Sequence, residues 1–183
     1  MSATESLRRD HDVIEKVLKA LEATVSLLKE GNEIPMDVLK DTLDFITNFI
    51  DRCHHSKEEN GLFPALNDRG LPKEQGPIAV MLMEHEEGRR LVNMLKDAID
   101  RYANDPNAKN DIIAIMENYI ALLTQHIWKE NNILFNLADS ILSDKADDIT
   151  NKLEGIVEEK IGKDKNDEYI QIAEKLASSL TKQ

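Results

Sequence analysis

The sequence predicts an all-α protein: an up-down-up-down four-helix bundle with a C-terminal helical extension. Glycine and proline are scarce, at 7 and 5 of 183 residues, which favours long helices over a turn-rich β fold. Apolar residues recur with the 3-4 spacing of a helix face in four long stretches. The connections between these stretches are short, and short connections place long neighbouring helices antiparallel.

The first two helices are defined by their apolar faces and by the turn between them. Ser2 and Glu5 match a capping box at the start of the first helix. Gly31 ends that helix, and Pro35 suits the first turn of the second. The two predicted core faces carry Leu7, Ile14, Leu18, Leu21, Val25 and Leu28, then Leu39, Leu43, Ile46 and Ile50.

The third and fourth helices repeat this pattern, and a weaker helical tail follows them. Gly76 opens the third helix, and the turn around Pro106 separates it from the fourth. We assign residues 1–140 to the bundle and 141–183 to a tail that packs on it. Gly162 can divide the tail, so the sequence leaves open whether it is one helix or two. The two core faces carry Ile78, Met81, Val92, Leu95 and Ile99, then Ile112, Ile115, Tyr119, Leu122, Ile133 and Leu137.

Composition and charge exclude several classes of partner. The formal net charge is −12, from 23 basic and 35 acidic residues, which argues against nucleic acid and anionic membranes. No apolar run approaches the ~18–20 residues that cross a bilayer, and the N-terminal residues form no apolar signal segment. The single cysteine cannot form an internal disulfide. We therefore expect a cytoplasmic protein with no nucleic-acid or membrane partner.

Four of the five histidines fall on predicted core faces, and two of them begin a repeated motif. The segment from His54 to Phe63 aligns without a gap with the segment from His126 to Phe135, and both read H-x-x-K-E-x-N-x-L-F. Each copy places a histidine and a glutamate four residues apart, on one face of a helix. A buried, unpaired carboxylate is costly, and a bound cation removes that cost.

The positions of these residues relative to the turns predict that they meet at one level of the bundle. His11 and His54 lie about twenty residues either side of the first turn, as His85 and His126 do around the Pro106 turn. Residues that lie equally far from a turn, on the two antiparallel helices that the turn joins, are at the same height along the bundle axis. The predicted metal ligands are His11, His54, Glu58, His85, His126 and Glu130.

This set of side chains suits two metal ions. Four imidazoles and two carboxylates are too many for one tetrahedral zinc site. Nitrogen together with hard oxygen ligands favours iron, for which zinc or manganese can substitute. Glu58 and Glu130 are the candidate bridges between the ions. The ferritin-like di-iron class fits poorly, because it uses a Glu-x-x-His spacing of three.

The ordered motifs resemble the hemerythrin-like, HHE cation-binding family over residues 5–138. The resemblance implies a four-helix bundle around an oxo- or hydroxo-bridged, non-haem di-iron centre. Matched by position, the four histidines would be terminal ligands, and Glu58 and Glu130 the bridging carboxylates. The blocks are Arg9-Asp10-His11, His54-x-x-Lys57-Glu58 running into Leu62-Phe63-Pro64, Met83-Glu84-His85 with Gly88-Arg89, and His126-x-x-Lys129-Glu130 running into Leu134-Phe135.

One position departs from the family's oxygen carriers. These have a fifth histidine one turn after the residue that matches His85, where this chain has Arg89. Either one iron keeps an open position, or another group fills it. The motif copies align His55 and Glu59 with Ile127 and Asn131, so we expect His55 and Glu59 on the surface. A shifted ligand pair, His55 and Glu59, is the alternative.

The resemblance and the ligand set imply binding, sensing or scavenging of O₂, NO or peroxide at the open position. The four-histidine, two-glutamate set is closer to the family's bacterial iron–sulfur-cluster repair proteins, so iron storage, donation or cluster repair is an alternative. A peroxide- or NO-consuming redox enzyme is another, and a metal-free interaction module a third. No pocket for an organic substrate can be identified, and we assign no catalytic residue.

Overall fold

The computed structural model describes residues 2–180, in which all regular elements are helices and no β-strand occurs. Residue 1 and residues 181–183, the outer ends of the predicted bundle and tail, lie outside the described residues. The α-helices are α1 (Glu5–Lys29), α2 (Met36–Phe45), α3 (Phe63–Asn67), α4 (Gly76–Tyr102), α5 (Lys109–Lys129), α6 (Phe135–Ile141), α7 (Ala146–Lys160) and α8 (Lys163–Leu180). Short 3₁₀ turns lie at Pro106–Ala108 and Ser143–Lys145.

Three segments adopt the wider π-helical turn, and all three lie at the repeated motif. They are π1 (Ile46–His55), π2 (Glu58–Leu62) and π3 (Glu130–Leu134). The backbone stays helical where these segments meet α2, α3, α5 and α6. Two long, nearly continuous helical segments therefore run through residues 36–67 and 109–141, each with π-helical turns within its motif. Short π-helical segments inside α-helices are frequently found at functional sites.

The apolar side chains form two separate clusters along the helices. On α1, Leu7 belongs to the smaller cluster and Ile14 to the larger one, with His11 between them. On α4, His85 lies in the same way between Met81 and Leu91. A polar layer of histidines and glutamates therefore separates the two clusters.

The tail forms two helices that contact different parts of the molecule. Gly162 divides them, with a left-handed φ of +79° that glycine adopts without strain. Tyr169 of α8 donates a hydrogen bond to Asp44, and Leu176 belongs to the larger cluster. Leu153 of α7 belongs to the smaller cluster. Among the described residues, no helix has the length and apolarity needed to cross a bilayer.

Candidate metal centre

The six side chains predicted as ligands lie together in the polar layer, and none is more than 2% exposed. One histidine each comes from α1, π1, α4 and α5, and π2 and π3 each begin with a glutamate. In that order they are His11, His54, His85, His126, Glu58 and Glu130. The register argument from the sequence thus brings all six to one place, while their role as ligands stays a prediction.

The layer contains two groups of four side chains, each with its ligand atoms within 4.8 Å of one another. Two ligand atoms on opposite sides of an ion lie about 4.2 Å apart when each bond is about 2.1 Å. Each group therefore has the size of a metal site. The first group is His11, His54, Glu58 and Glu130, and the second is His55, Glu58, His85 and His126.

The two glutamates lie between the two groups. The oxygen–nitrogen distances are 3.7 Å from Glu58 Oε1 to His54 Nε2, 3.3 Å from Glu58 Oε2 to His85 Nε2, 3.1 Å from Glu130 Oε2 to His11 Nε2, and 3.3 Å from Glu130 Oε1 to His126 Nε2. Each carboxylate thus has one oxygen near each group. This is the arrangement expected of a carboxylate that bridges two ions.

These carboxylates are buried without hydrogen bonds. Neither oxygen of Glu58 or Glu130 has a hydrogen-bond partner within residues 2–180, and the same is true of Nε2 in His85 and His126. Uncompensated carboxylates in the interior are strongly destabilising. Cations that bind between the carboxylates and the imidazoles would compensate these charges. Nitrogen and carboxylate donors suit divalent first-row metal ions, so the residues present fit a pair of them.

Every histidine of the layer forms a hydrogen bond between its Nδ1 and a side-chain oxygen. An ionised carboxylate can only accept a hydrogen bond, so the Nδ1–H that faces it is the donor. The proton is then on Nδ1, which leaves Nε2 as the ligand atom, as is typical of metal-binding histidines. The pairs are His11 with Asn131 (2.8 Å), His54 with Asp10 (3.0 Å), His55 with Asp51 (3.2 Å), His85 with Glu59 (2.7 Å) and His126 with Glu84 (2.9 Å).

Basic side chains pair with the carboxylates that hold the histidines. The pairs are Lys57 with Asp10, Lys129 with Glu84, and Arg89 with both Asp51 and Glu59. Burial raises the pKa of Asp10, but Lys57 and His54 outweigh burial and bring the pKa below its usual value. Arg89, at the position of the family's fifth histidine, therefore supports the outer carboxylates instead of entering the layer.

Without metal, protons take the place of cations in this layer. Burial lowers the pKa of His126, but the nearby carboxylates of Glu130 and Glu84 outweigh burial and raise it to about 10. The pKa values of His11 and His85 are also raised, because their glutamate partners outweigh burial. Burial raises the pKa of Glu130, but His126 and His11 bring it well below its usual value. Metal binding must therefore displace protons.

The sequence analysis placed Ile133 and Leu137 on a core face, but they are 50% and 37% exposed. It also predicted the position of His55 wrongly. Expected on the surface, it is only 4% exposed, and its ring stacks on His85 with centroids 3.8 Å apart. The alternative pair is not formed either, because Glu59 lies outside both groups and accepts a hydrogen bond from His85. The consecutive residues His54 and His55, at the end of π1, therefore both lie in the layer. Ile127, the apolar residue aligned with His55, was the feature of the sequence that could have indicated a core-facing position for His55.

A cavity of about 330 Å³ adjoins the second group. His55, His85 and His126 form part of its wall, and Tyr119 and Leu122 line it from α5. Its lining comes from α2, π1, α4 and α5. Because only folding brings these helices together, the sequence analysis could identify no such pocket.

These features define an all-helical protein whose candidate site is a buried histidine–carboxylate centre of the size of two metal ions. The chain belongs to the hemerythrin HHE cation-binding family, whose sequence profile matches residues 2–138. The family assignment from the sequence is therefore confirmed.

Curated relatives share part of this sequence. An uncharacterised protein of Mycobacterium tuberculosis is 26% identical over 144 residues, which are 78% of this chain and 56% of that protein. The iron-sulfur cluster repair protein YtfE of Salmonella newport is 35% identical over 85 residues, 45% of this chain and 39% of that protein. The matched region thus spans about half, or less, of these relatives. No solved structure matches the chain significantly.

Proposed function

We propose that this chain is a non-haem di-iron protein that binds, senses or scavenges O₂, NO or a related small oxidant. One arrangement of side chains carries the proposal. Two groups of the size of a metal site share Glu58, and the carboxylates of Glu58 and Glu130 are buried there without hydrogen bonds. In this proposal, the helices form an up-down-up-down four-helix bundle over residues 1–140, and the tail covers it.

Iron is the metal that the donor set favours among the candidates. The groups combine imidazole nitrogen with carboxylate oxygen, a mixture that suits iron and also accepts zinc or manganese. The buried thiol of Cys53 belongs to neither group. Iron and manganese, unlike zinc, would also supply the exchange of electrons with a bound oxidant.

The chain's own residues would hold and insulate the centre. Asp10 and Glu84 fix the ring orientation of His54 and His126 through Nδ1, and such outer hydrogen bonds raise the basicity of a ligand imidazole. The apolar clusters border the layer on both sides. A buried site with apolar surroundings favours a small, weakly polar molecule such as O₂ or NO over a charged one.

Metal content followed by ligand binding tests the proposal. We expect about two irons per chain by elemental analysis of protein purified without added metal. The anaerobically reduced protein should then change its visible spectrum when O₂ or NO is added. Absence of stoichiometric metal after anaerobic iron loading would contradict the metal centre. Two zinc ions would keep the centre and contradict the redox role, and two manganese ions would keep the centre and redirect that role.

Iron donation in cluster repair is the second candidate, and the similarity to the iron-sulfur cluster repair protein favours it. It predicts iron that transfers from the loaded chain to an apo iron–sulfur protein faster than it dissociates into solution. A centre that retains its iron in the presence of the acceptor and forms a stable adduct with O₂ or NO would favour the first candidate. Sustained loss of peroxide or NO, with an electron donor, would instead indicate a redox enzyme.

A further inference from the structure

The cavity beside the second group is much larger than a diatomic molecule requires. Its volume is about 330 Å³, whereas a water molecule, which is close to O₂ or NO in size, takes about 30 Å³ of the liquid. A cavity of about 150 Å³ with apolar walls already binds benzene. The cavity therefore has room for an organic molecule with a body of about two fused rings.

The walls of the cavity are mainly apolar, and its polar side chains lie chiefly towards solvent. Pockets of roughly 300–1,000 Å³ with apolar walls and a few polar groups are typical of sites for small organic molecules. The exposed residues that form the rim are Thr47, Asn93 and Lys96. The apolar wall is formed by Leu43, Ile46, Val92, Leu122 and Leu123.

The charged side chains of the inner wall are already paired with one another or with their neighbours. Asp51 pairs with Arg89, and Glu84 pairs with Lys129 and accepts a hydrogen bond from His126. A charged ligand would therefore be buried without a free partner of opposite charge in this wall, which is costly. The cavity thus favours an uncharged ligand.

Tyr119 adds a polar group that has no partner in the protein. The residue lines the cavity and is only 3% exposed, yet its hydroxyl forms no hydrogen bond within residues 2–180. Burial and the charge of Asp51 raise the pKa of this phenol, so the hydroxyl keeps its proton and can donate it. A buried hydroxyl without a partner is costly. A ligand with an acceptor oxygen would supply that partner.

Gly88 leaves space in the wall beside Tyr119. It lies inside α4, where glycine is less favourable than alanine, and its φ is not in the left-handed region. A Cβ at Gly88 would meet only side-chain carbons of Tyr119 and Leu122, at the ordinary contact distances of 3.9 and 4.0 Å. Neither the backbone nor the packing therefore requires glycine here, and the space that it leaves belongs to the cavity.

We propose that this cavity binds an uncharged organic molecule with about two fused rings and an oxygen that accepts a hydrogen bond from Tyr119. The bound molecule would lie against His55, His85 and His126, which form part of the wall. It would thus be held beside the candidate metal centre. This ligand is additional to the small oxidants of the proposed function.

Coumarin is a suitable probe, because it is bicyclic, uncharged and has a carbonyl acceptor. Equilibrium dialysis against the full chain as purified should give about one coumarin per chain, with a Kd below ~1 mM. Gly88→Leu should weaken binding at least ~10-fold, since the added side chain would occupy the cavity. Gly155→Leu is the matched control and should keep the affinity, because nothing lies within 4 Å of a Cβ at this position in α7.

Tyr119→Phe gives a second test, which does not depend on the folding of Gly88→Leu. It should weaken coumarin binding by about 2- to 10-fold through loss of the hydrogen bond. Binding of naphthalene, which has no acceptor, should stay the same.

Three results would overturn the proposal: no binding of coumarin to the wild type, an unchanged affinity in Gly88→Leu, or equal weakening of both probes in Tyr119→Phe. The readout is binding of an organic probe and not metal content. Failure of this inference and failure of the proposed function are therefore distinguishable.

Discussion

The two copies of the H-x-x-K-E motif show how one pattern of residues can support two different environments. Both copies bury their histidine and glutamate, and both place the glutamate at the first residue of a π-helical segment. They differ in the helix that precedes them: π1 ends at His55, whereas an α-helix, α5, leads to Glu130. The motif thus fixes the candidate ligands that both copies share, while neighbouring residues such as His55 and Ile127 make the surroundings of the two copies different.

The largest expected effect is loss of metal binding when either glutamate of the two motif copies is replaced. Glu58→Ala and Glu130→Ala should each abolish binding of both ions, because each carboxylate lies near both groups. Elemental analysis of the purified variants measures this loss. Glu86→Ala is the matched control, since Glu86 is exposed and contacts only Arg89. Undiminished metal in either glutamate variant would show that the carboxylates do not bridge.

The next effect concerns pH and the metal-free protein. The pKa of His126 is raised to about 10 in the folded state, above the unfolded value of about 6.5. Its stabilising contribution is therefore complete below about pH 6.5 and is lost as the pH rises through about 10. We expect the Tm of the metal-free protein to fall between pH 7 and 10, by roughly 2–4 °C per kcal/mol lost. The metal-loaded protein should show no such fall, because metal ions have replaced the protons.

A smaller effect compares the acids that hold the histidines of the two motif copies. Asp10→Asn and Glu84→Gln should each weaken metal binding by roughly 10- to 100-fold, since each removes the charge that orients a ligand histidine. Chelator competition on the two variants measures this loss. Similar losses would confirm that the two copies are equivalent at this level. A loss confined to one variant would show that Asp10 and Glu84 contribute unequally to metal affinity.

The smallest effect concerns the tail, which covers only one copy of the motif. A Cβ at Gly61 would lie 2.4 Å from a side-chain carbon of Leu153 in α7, whereas the aligned residue of the other copy, Ile133, is 50% exposed. Gly61→Ile should therefore lower the free energy of unfolding by about 1–3 kcal/mol through overpacking. Urea denaturation checks this, with Ile133→Val as the control that should change little. A neutral Gly61→Ile would mean that α7 moves away at no cost.

The sequence by itself determined the helical class, the family and the six side chains that meet in the polar layer. Helical periodicity places residues on faces, and equal distances from a turn bring residues of antiparallel helices to one height. These rules are local or depend only on chain length, so they hold before any packing is known. They correctly brought His11 and His126 together across more than a hundred residues of sequence (126 − 11 = 115).

Only the tertiary structure decided which further side chains join the layer. His55 joins the layer where π1 packs against α4 and its ring stacks on that of His85, a contact that helical periodicity does not encode. Glu59 meets His85, and Arg89 meets Asp51 and Glu59, only when π1, π2 and α4 pack together. Hydrogen bonds between helices depend on packing distances of a few ångströms, which no spacing along the chain encodes.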